Sequence, residues 1–215
     1  MELIFSGILI GLFLLCTALL ALEGLWTAAI MFINTVIASM IAVMFFEPLA
    51  ALLQSYAEWG TFFWDVITLL GLFAISAFAL RELTDRLAPK MVRLPELIDR
   101  VGGAIFGAMV GAFMVCFIAS ALQTAPLAPK FMFEGFKPNE PYLFGMAQPD
   151  SYWLSFMKME SNGAFAPLTA AEGYEGFDSE GFVKDYEEKR TMYQAEESIA
   201  AGMSGVTTPG NEFGY

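Results

Sequence analysis

The stretch IDRVGGAIFGAMVGAFMV, residues 98–115, places Gly103, Gly107 and Gly111 four residues apart in an apolar run, directly after Asp99 and Arg100. Residues four apart lie on one face of a helix. Because lipid tails provide no hydrophobic drive between membrane helices, a smooth strip of glycines lets a second helix approach closely. The stretch therefore predicts a membrane helix that packs against a partner helix.

The composition of the whole chain indicates a membrane protein. Of its 215 residues, 57% are hydrophobic and 16% are charged, and the apolar residues fall in long blocks. About 20 consecutive apolar residues are needed for a helix to cross a bilayer, where helices satisfy their own backbone polar groups. We predict an all-α membrane protein with four transmembrane helices, followed by a mostly irregular and helical extramembrane C-terminal tail. The spans cover about residues 3–22, 25–46, 61–80 and 101–122.

The basic residues predict the orientation of these spans. The first apolar segment lacks the basic start of a cleaved signal peptide and leads straight into the second, so we interpret the two as a hairpin. The chain has no Lys or Arg before the third span ends, and five basic residues lie between the third and fourth spans: Arg81, Arg86, Lys90, Arg93 and Arg100. Short basic loops favour the cytoplasmic side. We therefore expect the N-terminus and the C-terminal tail to lie outside the cytoplasm.

The tail, residues 123–215, differs in composition from the spans. After Gln123 it carries fourteen acidic and six basic residues, so we expect it to bind no nucleic acid. The segment SYWLSFMKME, residues 151–160, is a possible interfacial helix with its aromatic face in the headgroup layer. Alternatively, this helix packs on a small core of the tail itself. A polar helix is predicted at about residues 179–201.

Several classes of chemistry are excluded by residue content. The chain has no histidine, which excludes Ser-His-Asp and Cys-His catalysis and every histidine metal site. It also has no phosphate-binding GxxxxGK loop. We therefore predict no catalytic residue, no metal ligand and no cofactor. The two thiols, Cys16 and Cys116, are expected to be free and buried, because their depths in the predicted spans differ by roughly 12 Å.

Asp65 is a possible transport-related residue, because ionisable groups inside a span often mark a pathway. The alternative is structural, since Asp65 sits one turn inside the third span and can reach the interface or stabilise the helix N-terminus. In the second span, Asn34, Thr35 and Ser39 form a polar face that we expect to bond to a neighbouring helix rather than line a pore.

Asp99 and Arg100 are interpreted as an interface anchor. The carboxylate of Asp99 would meet the positive end of its own helix dipole, and Arg100 would reach lipid phosphates. The helix that packs on the glycine strip is either another span of the same chain, which we favour, or a second copy. If the strip serves packing, an alanine at Gly107 should be nearly tolerated and a leucine should not.

The stretch LPELIDRVGGAIFGAMVGAFMV, residues 94–115, resembles the signature of the bacterial colicin V production protein family. In that family an Asp-Arg dipeptide precedes glycines at four-residue spacing in the last span. The upstream order is also similar: a hairpin of two spans, the amphipathic stretch EPLAALLQSYAEW (47–59), a third span and a short basic segment. The resemblance covers about residues 1–122 and implies a multi-pass inner-membrane protein linked to toxin export and envelope maintenance.

This chain departs from the family pattern at two positions. Family members often carry arginine in the first hairpin turn, where this chain has EGLW (23–26), and just before the last glycine, where it has Val110. Roles that depend on those arginines do not carry over.

Three hypotheses about function are compatible with these observations. The leading hypothesis is a non-enzymatic protein that organises or regulates envelope or toxin-export partners through its bundle and tail. The alternative is a subunit of an oligomeric transporter or channel built around Asp65. A membrane-embedded enzyme is disfavoured by the missing histidines. Expected partners are the lipid bilayer and other membrane or envelope proteins or a second copy.

Overall fold

A computed structural model of the chain describes residues 2–56, 63–87, 95–125, 148–162 and 177–204. In these ranges the chain is helical and contains no strand, which confirms the all-α prediction. The helices are α1 (Glu2–Glu23), α2 (Leu25–Tyr56), α3 (Trp64–Leu87), α4 (Glu96–Gln123), α5 (Pro149–Asn162) and α6 (Ser179–Ser204). Helices α1 to α4 are long and apolar enough to cross a membrane. Most of the tail predicted as irregular lies outside the described residues.

The first four helices extend beyond the apolar stretches that predicted them. Helix α2 passes through Pro48 and continues to Tyr56, ten residues past the predicted end of the span, and α3 continues to Leu87. Helix α4 begins at Glu96, five residues before the predicted span. The added turns of α3 and α4 carry exposed charged pairs at i and i+4 spacing, as suits turns outside the hydrocarbon core. An apolar run therefore marks the membrane portion of a helix and not its ends.

The four long helices pack in the order α1, α4, α2, α3. Helix α1 packs mainly on α4, α4 also packs on α2, and α2 packs on α3, whereas α3 and α4 touch only slightly. The outer faces carry exposed apolar side chains such as Leu14, Ile75 and Phe78. Such faces suit a lipid environment, since hydrocarbon solvates apolar side chains that water would not.

The bundle has two distinct ends. One end, called here the turn end, contains Glu23 at the end of α1, Gly24 between α1 and α2, the last turns of α3, and the start of α4. The other end, called the tail end, contains the start of α3 and the last turn of α4, with α5 and α6 packed there. An apolar cluster at the tail end joins the bundle to the tail; its buried members include Phe46, Leu69, Phe117, Trp153, Met157 and Tyr186.

Helix α5 packs on the bundle through its aromatic face. Trp153 is only 3% exposed, and its ring makes edge contacts with Phe113 and Phe117 of α4 at centroid distances of 5.0 and 5.2 Å. The aromatic face of α5 therefore packs on α4, whereas the position of α5 relative to the headgroup layer stays a prediction. Burying these rings together removes a large apolar area from solvent, and their edge-to-face geometry adds to the attraction.

A buried polar contact fixes the start of α5 at the end of α4. The Nε2 amide of Gln123 donates to Oδ2 of Asp150 at 2.7 Å, and the hydroxyl of Ser120 donates to the backbone carbonyl of Asp150 at 3.3 Å. Gln123 and Asp150 are both almost fully buried. Because buried polar groups are costly unless they are bonded, these contacts specify one position for α5 on α4.

Candidate functional site

The Asp-Arg dipeptide lies at the turn end, where Asp99 caps a different helix from its own. Oδ1 of Asp99 accepts a hydrogen bond of 2.9 Å from the backbone N–H of Leu25, the first residue of α2. The first N–H groups of a helix have no partner within it, so this carboxylate satisfies one of them and meets the positive end of the α2 dipole. Asp99 lies in the first turn of α4, as the sequence predicts, and the structure adds its contact with the start of α2.

Gly24 makes this contact possible. Its φ angle is +92°, a left-handed conformation that favours glycine, and a Cβ atom there would lie 2.5 Å from Oδ2 of Asp99. The α1–α2 turn is therefore shaped to receive the Asp99 side chain. The position of Gly24 between two apolar spans was visible in the sequence, but its partner lies 75 residues along the chain.

Arg100 points away from this contact. Its guanidinium pairs with Glu96 of the same helix at 2.9 Å, and both side chains are largely exposed. Exposed pairs of this kind contribute little to stability. Arg100 is therefore free to move at the surface of the turn end, as an interface anchor requires.

The glycine strip of α4 contacts α1. A Cβ atom added at Gly103, Gly107 or Gly111 would lie 2.9, 3.0 or 2.8 Å from the backbone carbonyl oxygens of Leu20, Thr17 and Phe13, respectively. The partner residues descend as the glycine numbers rise, so the two helices are antiparallel. The strip thus lets α1 approach at backbone distance, and the helix that occupies it belongs to the same chain.

Only part of the polar face of α2 bonds to another helix. Nδ2 of Asn34 donates to the hydroxyl of Thr84 in α3 at 3.0 Å. The hydroxyls of Thr35 and Ser39 instead donate to carbonyls of their own helix, at Met31 and Val36. The expectation of a bond to a neighbouring helix therefore fails for Thr35 and Ser39, because a helical hydroxyl can return to the preceding turn.

Asp65 lies at the tail end and pairs with the tail. Oδ2 of this carboxylate is 2.7 Å from Nζ of Lys189 in α6, and only 7% of the Asp65 side chain is exposed. The ammonium of Lys189 also lies 4.5 Å from the centroid of the Tyr186 ring, an attractive cation–π arrangement. The predicted transport-related residue is thus bound to a cation of the chain's own C-terminal part.

Tyr186 covers this ion pair from α6. Burial, together with the nearby negative charges of Asp65 and Glu47, raises the pKa of the Tyr186 phenol well above its ordinary value of 10.0. The ring therefore stays neutral at physiological pH. A neutral ring keeps its cation–π contact with Lys189 and adds no further negative charge beside Asp65.

A groove of about 790 Å³ opens beside this pair, between α2, α3 and α6. Of the described residues that line it, five are acidic and one, Lys189, is basic; the acidic ones are Glu47, Asp65, Asp178, Asp185 and Glu188. The groove is therefore strongly anionic, and Lys189 is placed where it offsets the most buried of these charges.

The described residues contain no group of three or more His, Cys, Asp or Glu side chains arranged to hold a metal ion. Cys16 and Cys116 are free, as predicted, and both are half-buried. Of the sequence-predicted residues, Asp99 and the glycines share the α4 interface with the α1–α2 hairpin, whereas Asp65 lies at the opposite end. Lys189, Tyr186, Gln123 and Asp150 were not identified from sequence.

A comparison of the chain with known families supports the resemblance seen in its sequence. The family model described as "Colicin V production protein" matches residues 5–135, which is more than half of the chain and reaches past Leu122, where the resemblance seen in the sequence ended. No curated protein and no solved structure matches the chain. On the family match, this membrane protein belongs to the colicin V production protein family.

Proposed function

We propose that this chain is a non-enzymatic membrane protein that organises or regulates envelope or toxin-export partners. The observation that supports this most is the docking of the tail on the bundle. Helices α5 and α6 pack at one end through Trp153, the Gln123–Asp150 contact and the Lys189–Asp65 pair. Tail helices held in this way present a mostly acidic surface on one side of the membrane, which suits recognition of other proteins.

The same contacts argue against the transporter alternative. A transport carboxylate has to bind and release a cation or a proton, and it faces a pathway. Asp65 is instead bound to Lys189, and the rest of the groove opens beside α6 at the tail end. Asp65 thus has a role in holding the tail, and the organising function needs no pathway through the bundle.

We further propose that the protein lies in the bacterial inner membrane with its N-terminus and tail outside the cytoplasm. Arg81, Arg86 and Arg100 lie at the turn end, and the acidic groove lies at the tail end. The positive-inside rule then assigns the turn end to the cytoplasm. The partners would be envelope or membrane proteins that reach the tail from outside.

Site-specific photo-crosslinking in cells tests the organising function. A photoreactive amino acid at Thr191, which is exposed on α6, should form discrete protein adducts that mass spectrometry can identify. The matched control is the same amino acid at Phe78, whose side chain is exposed on the apolar face of α3 and should react mainly with lipid. The proposal fails if position 191 and the other exposed positions of α6 form no protein adduct, and toxin export is unchanged in cells that lack the chain.

A further inference from the structure

One face of α6 makes the contacts with the start of α3. Tyr186 is buried in the same apolar cluster as Leu69, Lys189 pairs with Asp65, and the Tyr193 ring meets Phe63 edge-on at a centroid distance of 6.1 Å. These three α6 residues follow the spacing i, i+3, i+7, which is one helical face. The opposite face is exposed, as Lys184, Glu187 and Thr191 show.

Asp65 has two polar partners on α6, the ammonium of Lys189 and the phenol of Tyr186, and only Lys189 brings an opposite charge. As a whole residue, Asp65 is only 5% exposed beneath α6, whereas about half of the Lys189 side chain remains exposed. Loss of the lysine charge would leave a buried carboxylate without that cation, a far larger penalty than loss of an exposed pair. The groove beside the pair already brings solvent near Asp65, and movement of α6 away from α3 would expose the whole carboxylate and relieve this penalty.

We propose that α6 is a lid over Asp65 and that the Lys189–Asp65 pair is the latch that holds it closed. In the open state α6 leaves the start of α3, and Asp65 and Glu47 face water at the tail end. Any interaction that withdraws Lys189 from Asp65 opens the lid. This device stands independently of the organising function, because it depends only on contacts within the chain.

The lid is tested in the full chain, reconstituted in lipid nanodiscs, by the distance between two spin labels. The labels are attached at Leu97→Cys and Thr191→Cys, which are exposed at the turn end and on α6, in a background of Cys16→Ala and Cys116→Ala. The parent should give one narrow distance distribution. Lys189→Gln should add a second, broad distribution and raise the open-to-closed ratio at least about tenfold.

A second set of variants separates the charge from other effects. Adding Asp65→Asn to Lys189→Gln should return the distribution towards the closed form, because no buried charge then remains to be hydrated. Lys189→Arg should stay closed, whereas Lys189→Met should open like Lys189→Gln. Lys184→Gln, at an exposed lysine of the same helix, should leave the parent distribution unchanged. If Lys189→Gln and Lys189→Met both keep the parent distribution, or Lys184→Gln opens α6 equally, α6 is not latched by this pair.

Discussion

Single polar side chains join helices that are far apart along this chain. Asp99 of α4 caps α2, Asn34 of α2 bonds to Thr84 of α3, and Lys189 of α6 pairs with Asp65 of α3. In apolar surroundings, a polar group without a partner costs more free energy than in water, so each such contact fixes a relative position. The glycine strip acts differently, through the absence of side chains between two backbones.

Replacement of Asp99 tests the cap on α2. Asp99→Ala should reduce the free energy of unfolding by about 1–2 kcal/mol, because the Leu25 N–H loses its acceptor. Asp99→Asn keeps a side-chain oxygen and should lose less, and Arg100→Gln, at an exposed residue, should unfold like the parent. The measurement is thermal unfolding in detergent micelles. Equal unfolding of Asp99→Ala and Arg100→Gln would contradict the cap.

Alanine substitutions along α4 test the close approach of α1. The sequence alone predicts that Gly107→Ala is nearly tolerated, whereas the close approach in the structure predicts a cost, because the added Cβ would meet a backbone carbonyl at 3.0 Å and α1 would have to shift by a few tenths of an ångström. Gly107→Ala and Gly111→Ala should each cost about 1–3 kcal/mol.

Gly11 of α1 is the matched control, since a Cβ atom there would meet nothing within 4 Å. Gly11→Ala should therefore change the unfolding temperature little or raise it slightly. Should Gly107→Ala and Gly11→Ala unfold at the same temperature, the α1–α4 approach is looser than described.

The membrane helices were predictable because apolar length is a strong signal, but their ends and the tail contacts were not. The charged turns up to Leu87 and from Glu96 lie outside any apolar run and form as a continuation of the membrane helix, to which their exposed ion pairs add little. The docking of α5 depends on the contact between Trp153 and α4. The ten-residue segment 151–160 is too short for its periodicity to predict such a partner. The Lys189–Asp65 pair joins residues 124 positions apart, a separation that no local pattern encodes.

The docking of α5 depends most on Trp153. Trp153→Ala would leave a cavity against Phe113 and Phe117 and should cost about 3–5 kcal/mol of docking free energy. Hydrogen exchange of the α5 amides, followed by mass spectrometry, should then rise sharply. Tyr152→Ala is the control, because the Tyr152 side chain is 60% exposed and its loss should leave exchange unchanged. Equal protection of α5 in both variants would contradict its docking through Trp153.

The whole molecule is polarised along the axis of its bundle. Arg81, Arg86 and Arg100 lie at the turn end, where each pairs with a nearby carboxylate, and the acidic groove and both tail helices lie at the tail end. The beginning of α1 also lies towards the tail end, since Phe5 packs with Val115 of α4. The described contacts thus place the N-terminal helix start and the tail helices at the same end, opposite Arg81, Arg86 and Arg100. The orientation of these two ends in the membrane then decides whether partners meet the tail inside or outside the cytoplasm.

Single-cysteine labelling in spheroplasts tests most directly the claim that the tail lies outside the cytoplasm and the turn end lies inside. One cysteine is placed at Leu97, at the turn end, or at Thr191, on α6, with Cys16 and Cys116 replaced by alanine, and neither change alters a charge. A membrane-impermeant thiol reagent should label position 191 in intact spheroplasts and position 97 only after the membrane is permeabilised. Labelling of position 97 and protection of position 191 in intact spheroplasts would contradict the account, because the acidic tail would then lie in the cytoplasm.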